Sequence, residues 1–124
     1  MTGTHDDIFT VKHFTASDGQ ILANVVVNES SDILNGHFPG QPVVPGACML
    51  QLVKDVLKGA VERKLQLVKA DNIKFMSMIV PGGQKELQLV ISYKMMENDA
   101  YFVQASLSSD ETICFKFQGS FTNS

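Results

Sequence analysis

One long apolar stretch constrains the fold of this chain more than any other feature. From Gly46 to about Lys64, two neighbouring stripes of apolar residues keep helical spacing, and until about Leu57 most positions are apolar. A helix that is apolar nearly all round is buried on more than one side. The rest of the chain must therefore cover it. The stripes are Leu50, Val53, Leu57 and Val61, and Met49, Leu52, Val56 and Ala60.

The segments on either side of this helix alternate apolar and polar residues with the period of two that is typical of strands. We predict two strands before the helix, at 8–14 and 20–28, and four after it, the first at 72–80 and the last ending near 121. Short loops between strands favour antiparallel pairing. The pattern predicts an α+β fold, one antiparallel sheet wrapped around a long central helix, with a second subunit completing the cover.

Length and composition narrow the class of protein. The 124 residues are predicted to form one domain spanning 1–124, and the net charge of −3 argues against nucleic acid as a partner. No stretch is long and apolar enough for a membrane span, and no signal peptide is visible. Cys48 and Cys114 make neither a disulfide framework nor a metal site. We expect a cytoplasmic protein with no cofactor, metal or membrane partner.

A proline- and glycine-rich segment leads into the helix. Residues 36–46 hold three of the four prolines and three of the nine glycines, with His37 among them. Prolines fix φ and keep the preceding residue extended, so the segment is predicted to be stiff. Pro45 and Gly46 stand where a helix begins. The pattern therefore places a rigid histidine beside the free N–H groups of a helix N-terminus, an arrangement suited to acid–base chemistry.

The segment 37–46, with the sequence HFPGQPVVPG, resembles the signature of the β-hydroxyacyl-ACP dehydratases, the FabZ/FabA-like hotdog enzymes. The segments 72–75 (NIKF) and 80–82 (VPG) resemble that family's strand after the helix. The resemblance implies a hotdog fold over about residues 8–121 and a homodimer or larger dimer-based oligomer. It also implies acyl thioester substrates, acyl-ACP or acyl-CoA, and the acyl carrier protein as a partner.

The resemblance assigns roles to individual residues. His37 removes a proton from the substrate's α-carbon, and the backbone N–H of Gly46 binds the thioester carbonyl. Phe38 and Val43 are predicted to line the acyl site. The family's helix carboxylate, supplied from the facing subunit, falls five residues after the final glycine, where this chain has Gln51. An amide cannot act as an acid at physiological pH.

Three interpretations of Gln51 stay open. His37 carries the proton from the α-carbon to the leaving hydroxyl while Gln51 positions the hydroxyl or a water; or a related hotdog subunit supplies the carboxylate; or the chain binds acyl thioesters without converting them. We favour retained dehydratase chemistry in fatty-acid or polyketide-type biosynthesis. An acyl thioesterase is disfavoured because it would need a carboxylate near the thioester to activate water, and the helix offers no good candidate. Asp55, about 6 Å further along the helix axis, is disfavoured as a replacement acid.

Overall fold

Within the part of the chain that the structure describes, the elements follow one another in the predicted order of two strands, one helix and four strands. A computed structural model describes residues 9–28, 46–77, 86–110 and 112–123. These residues form β1 (Phe9–Ser17), β2 (Gln20–Val27), α1 (Gly46–Val61), β3 (Leu65–Phe75), β4 (Glu86–Met95), a 3-10 turn (Glu97–Asp99), β5 (Ala100–Ser109) and β6 (Thr112–Asn123). The predicted α+β class is confirmed.

The six strands form one antiparallel sheet in the order β1-β2-β4-β5-β6-β3. β1 and β2 meet at the predicted turn, where Gly19 has a φ of 72°, a conformation that glycine adopts without strain. β4 and β5 alternate buried and exposed residues along almost their whole length. Their inward side chains, together with those of β6, form the surface on which the helix packs.

Helix α1 lays both predicted stripes against this surface. Val53 and Leu57 have no exposed surface, and Met49, Leu52 and Val56 are also buried. On the opposite side, Gln51 and Asp55 are exposed. Among the described residues, α1 is therefore covered on one side. This part of the chain alone does not provide the predicted burial on more than one side. The open side carries polar residues at every third or fourth position. The prediction of broad burial rested on the high proportion of apolar residues and not on the positions of these polar ones.

The helix ends at Val61, three residues before the predicted Lys64. Glu62 has a φ of 57°, a left-handed conformation that stops the helix, and its N–H donates a hydrogen bond of 2.8 Å to the carbonyl oxygen of Lys58. Among the described residues, no helix has the length and apolar character needed to cross a membrane.

The position of β3 corrects two predictions. The strand spans Leu65–Phe75 and not 72–80, and it pairs with β6 at the sheet edge instead of forming a hairpin with β4. Its register shifts twice, between Leu67 and Lys69 and between Ala70 and Asn72, so the period of two is lost. β3 is also rich in charged and polar residues, which suits an edge, whereas the cleanly alternating β4 takes a central place between β2 and β5.

Two glycines should respond to alanine with opposite signs. A Cβ at Gly119 would overlap the carbonyl oxygen of Lys69 and lie 2.6 Å from Cζ of Phe117. Because backbone cannot easily move aside, Gly119→Ala should destabilise the fold by about 1–3 kcal/mol. Gly59 on α1 has nothing within 4 Å of such a Cβ. Gly59→Ala should stabilise by about 0.5–1 kcal/mol. Urea unfolding of both variants checks this; a stable Gly119→Ala would contradict the close strand approach.

Candidate active site

The start of α1 has backbone N–H donors that lack an acceptor within the helix. Gly46 is the first helical residue, and the first N–H groups of a helix have no acceptor within the helix. The helix dipole adds partial positive charge at this end. No acidic side chain occupies the first turn to offset it. The position is therefore suited to receive a carbonyl oxygen that gains negative charge during a reaction.

An aromatic ring covers Gly46. A Cβ on this glycine would lie 2.6 Å from Cε1 and Cζ of Phe75, so only a glycine leaves room for the ring. Phe75 is the last residue of β3, and its ring centroid lies 5.4 Å from that of the fully buried Phe115. Its side chain is still 57% exposed. Phe75 thus forms an apolar wall beside the helix N-terminus, anchored on one side and open on the other.

Gln51 and Asp55 are joined on the open side of α1. The Gln51 amide nitrogen Nε2 donates a hydrogen bond of 2.8 Å to Oδ1 of Asp55. Residues four apart lie on the same helix face, and both side chains are exposed. The position expected to hold a carboxylate therefore carries an amide that is itself held by a carboxylate one turn further along.

The predicted site residues divide into two groups. Gly46 and Gln51 lie on α1, separated by a rise of about 7.5 Å along its axis. His37, Phe38 and Val43 lie outside the described residues, so their roles stay predictions. The structure brings Gly46 to Phe75 and Gln51 to Asp55.

Sequence reasoning missed both of these contacts. The sequence predicts only that Phe75 lies on a strand. The one signal of its contact is that residue 46 is a glycine, which leaves space for the ring. From the sequence, Asp55 is considered only as a replacement acid. Its spacing of four from Gln51 is the ordinary signal for a pair on a helix surface.

Cys48 near the start of α1 is half-buried. Burial raises the pKa of its thiol, which keeps the sulfur protonated and weakly nucleophilic at neutral pH. Cys48 packs against the core as a small, partly buried apolar residue. Within the described ranges, no three His, Cys, Asp or Glu side chains come together as a metal site.

A groove of about 380 Å³ lies on the outer face of the sheet. Polar residues of β3 to β6 line it, and Lys74 and Lys116 face each other across β3 and β6. Successive side chains of a strand point to opposite faces, so this groove lies on the side away from α1. It is separate from Gly46 and Gln51, and no sequence prediction concerned it.

Comparison with known proteins identifies relatives of the chain. The sequence model of the ApeI-like family, described as ApeI dehydratase, matches residues 13–118. The 3-hydroxyacyl-[acyl-carrier-protein] dehydratase FabZ of Streptococcus equi subsp. zooepidemicus is 38% identical over 81 residues, which cover 56% of this chain and 54% of that protein. The chain thus spans about half the length of the curated relatives it matches.

Solved structures share the architecture. A chain of the dehydratase heterocomplex ApeI:P from Xenorhabdus doucetiae matches with a TM-score of 0.79 at 16% identity, over 92% of this chain and 97% of that one. The PaaI protein of E. coli matches with a TM-score of 0.66 at 12% identity, over 94% and 79%. The fold is therefore the hotdog fold, as the resemblance implied.

The contact between Gly46 and Phe75 can be tested by a double-mutant cycle. Gly46→Ala should lower the free energy of unfolding by about 1 kcal/mol, because the exposed ring must swing away from the new methyl group. In a Phe75→Ala background the same change should cost almost nothing, since the space is then empty. Urea unfolding of the four proteins gives the coupling energy. Equal costs in both backgrounds would show that the ring does not cover this glycine.

Proposed function

The chain belongs to the ApeI-like dehydratase family, and we propose that it removes water from 3-hydroxyacyl thioesters to give trans-2-enoyl thioesters. The observation that carries the proposal is the start of α1. There Gly46 offers a backbone N–H without an intrahelical acceptor, beside the ring of Phe75. The segment that contains His37 leads directly into this position. We assign the activity to fatty-acid or polyketide-type biosynthesis.

The first step is removal of the α-proton. Neutral His37 takes it near pH 7, the C–H electron pair moves toward the thioester, and negative charge builds on the carbonyl oxygen. The N–H of Gly46 and the α1 dipole stabilise that charge. Phe75 excludes water from one side of the oxygen, which strengthens the hydrogen bond. Phe38 and Val43 line the acyl chain.

The second step expels the β-hydroxyl. The carbonyl double bond re-forms, the electron pair between the carbonyl carbon and the α-carbon moves to make the double bond between the α and β carbons, and the bond from the β-carbon to the hydroxyl oxygen breaks. His37, now protonated, gives its proton to the departing oxygen, so water leaves and neutral histidine is restored. No separate acid is required, and Gln51 serves to orient the hydroxyl. A lost general acid costs about 10²–10⁴ in rate, so turnover is expected to be slow.

The carrier of the substrate is an acyl carrier protein or coenzyme A. The FabZ relatives are named for acyl-carrier-protein substrates, which supports the first. The net charge of −3 offers no support for nucleic acid as a partner.

A second hotdog subunit completes the assembly. The edge strand β3 and the residue after it expose large apolar side chains, among them Val68, Phe75 and Met76. An edge strand leaves backbone N–H and C=O groups unpaired, and these apolar side chains beside them form a surface on which a second strand can pair. A homodimer, or a dimer-based oligomer, covers it; the ApeI:P heterocomplex among the structural relatives supports a related hotdog subunit as the alternative.

Mass spectrometry of a 3-hydroxyacyl-ACP incubated with the protein tests the proposed activity. We expect loss of one water from the acyl chain. Release of the free acid would indicate a thioesterase, and an unchanged substrate would indicate a thioester-binding protein or a missing subunit. His37→Ala should lower dehydration by at least about 10²-fold. His13→Ala is the matched control, because His13 is an exposed histidine on β1, and it should leave the rate unchanged.

The same assay applied to Gln51→Glu tests the role of the helix position. The new carboxyl can donate a proton to the leaving hydroxyl, which the amide of Gln51 cannot. Dehydration should rise by about tenfold or more. A rate unchanged by this substitution would mean that residue 51 does not reach the leaving hydroxyl.

Light scattering during size-exclusion chromatography tests the assembly. The protein should elute with at least twice the 13.6 kDa mass of one chain. Val68→Glu places a charge on the exposed edge, since Val68 is 61% exposed, and should shift the protein toward monomer without unfolding it. Val11→Glu, at an exposed valine on the other edge strand, is the control. A wild-type monomer would contradict the homodimer and direct the search to a related subunit.

A further inference from the structure

We infer that Asp55 is a positioning residue for the proposed dehydration. Its carboxylate holds the side-chain amide of Gln51 so that the amide oxygen Oε1 is free to accept a hydrogen bond from the substrate's β-hydroxyl. The inference rests on the proposed function, and it gives Gln51 a defined orientation in place of a freely rotating amide.

The hydrogen bond itself selects the orientation. A glutamine amide presents two donors on Nε2 and an acceptor on Oε1, and either end can face a given neighbour. An ionised carboxylate only accepts hydrogen bonds. With Asp55 Oδ1 at 2.8 Å, the neighbouring end must be Nε2, and Oε1 must point elsewhere. The assignment of the amide therefore follows from the chemistry of Asp55.

Gln51 is the side-chain partner of the Asp55 carboxylate. Within the described part of the chain, Asp55 makes no ion pair, although Lys54 and Lys58 are close in sequence. Hydrogen bonds to a charged acceptor are stronger than those between neutral groups. Both side chains lie on the side of α1 that the sheet does not cover, so they can be reached by a substrate.

The orientation matters for the proton path. When Oε1 accepts a hydrogen bond from the hydroxyl, both lone pairs of the hydroxyl oxygen stay free to take the proton from His37. In the reversed orientation, Nε2 would donate to that same oxygen, occupy one of its two lone pairs and lower its affinity for the incoming proton. Asp55 thus favours the arrangement in which one histidine serves both as base and as acid. Asp55 itself exchanges no proton in the reaction.

The orientation can be measured without any turnover. The side-chain NH₂ pair of Gln51 is identified in a ¹⁵N–¹H spectrum by its disappearance in Gln51→Ala. Asp55→Ala should move this pair to the position of a solvent-exposed amide. Asp55→Asn keeps an acceptor oxygen and should move it less. Lys58→Ala, one turn further along α1, is the control and should leave it in place. An unmoved pair in Asp55→Ala would overturn the inference.

Kinetics on a 3-hydroxyacyl-ACP then test the consequence. Asp55→Ala should lower kcat about tenfold, the rate equivalent of one hydrogen bond, with KM little changed. Asp55→Asn should restore the rate to within about threefold of wild type. In a Gln51→Ala background, Asp55→Ala should cause no further loss, whereas an equal loss in both backgrounds would refute positioning through Gln51. A wild-type protein that removes no water would refute the proposed dehydration by this chain on its own, and the amide spectrum would still decide the Gln51–Asp55 contact.

Discussion

The packing of α1 against the sheet is the contact on which the rest of the molecule depends. Val53 and Leu57 are fully buried and set the rotation of the helix about its axis. Because successive residues advance by about 100°, that rotation also sets where every polar residue points. Gln51 and Asp55 face outward as a direct result of Val53 and Leu57 facing inward. The core and the candidate site are thus two sides of one helix, positioned together.

The elements that sequence predicted well are those whose signal is local. The stripes of α1 repeat within a few turns, and β4 and β5 alternate cleanly, so their burial could be predicted from neighbouring residues alone. The burial of β3 could not be predicted in this way, because its two register shifts break the period of two. Its partner β6 lies at the far end of the chain, and no local pattern decides between β4 and β6 as a neighbour.

The candidate site shows the same division. Gly46 and Gln51 were predicted from a motif and a fixed spacing along one helix, and both lie on α1 as expected. Phe75 reaches Gly46 from a different element, so its position depends on the tertiary packing of β3 beside β6 and the helix. Asp55 was judged by its distance along the axis, whereas its contact with Gln51 depends on the helix face. His37 remains a prediction from the motif.

The two register shifts in β3 also limit what its free edge can join. Each shift inserts one extra residue and adds local twist, so an incoming strand cannot stay aligned across it. The longest stretch of β3 without a shift runs from Asn72 to Phe75, beyond the second shift. On a regular edge, a partner strand can slide by two residues at little cost. On β3 the same slide would place the partner strand against a bulge. An edge strand with two such irregularities accepts an added strand in fewer alignments than a regular edge does, which disfavours open-ended pairing of sheets.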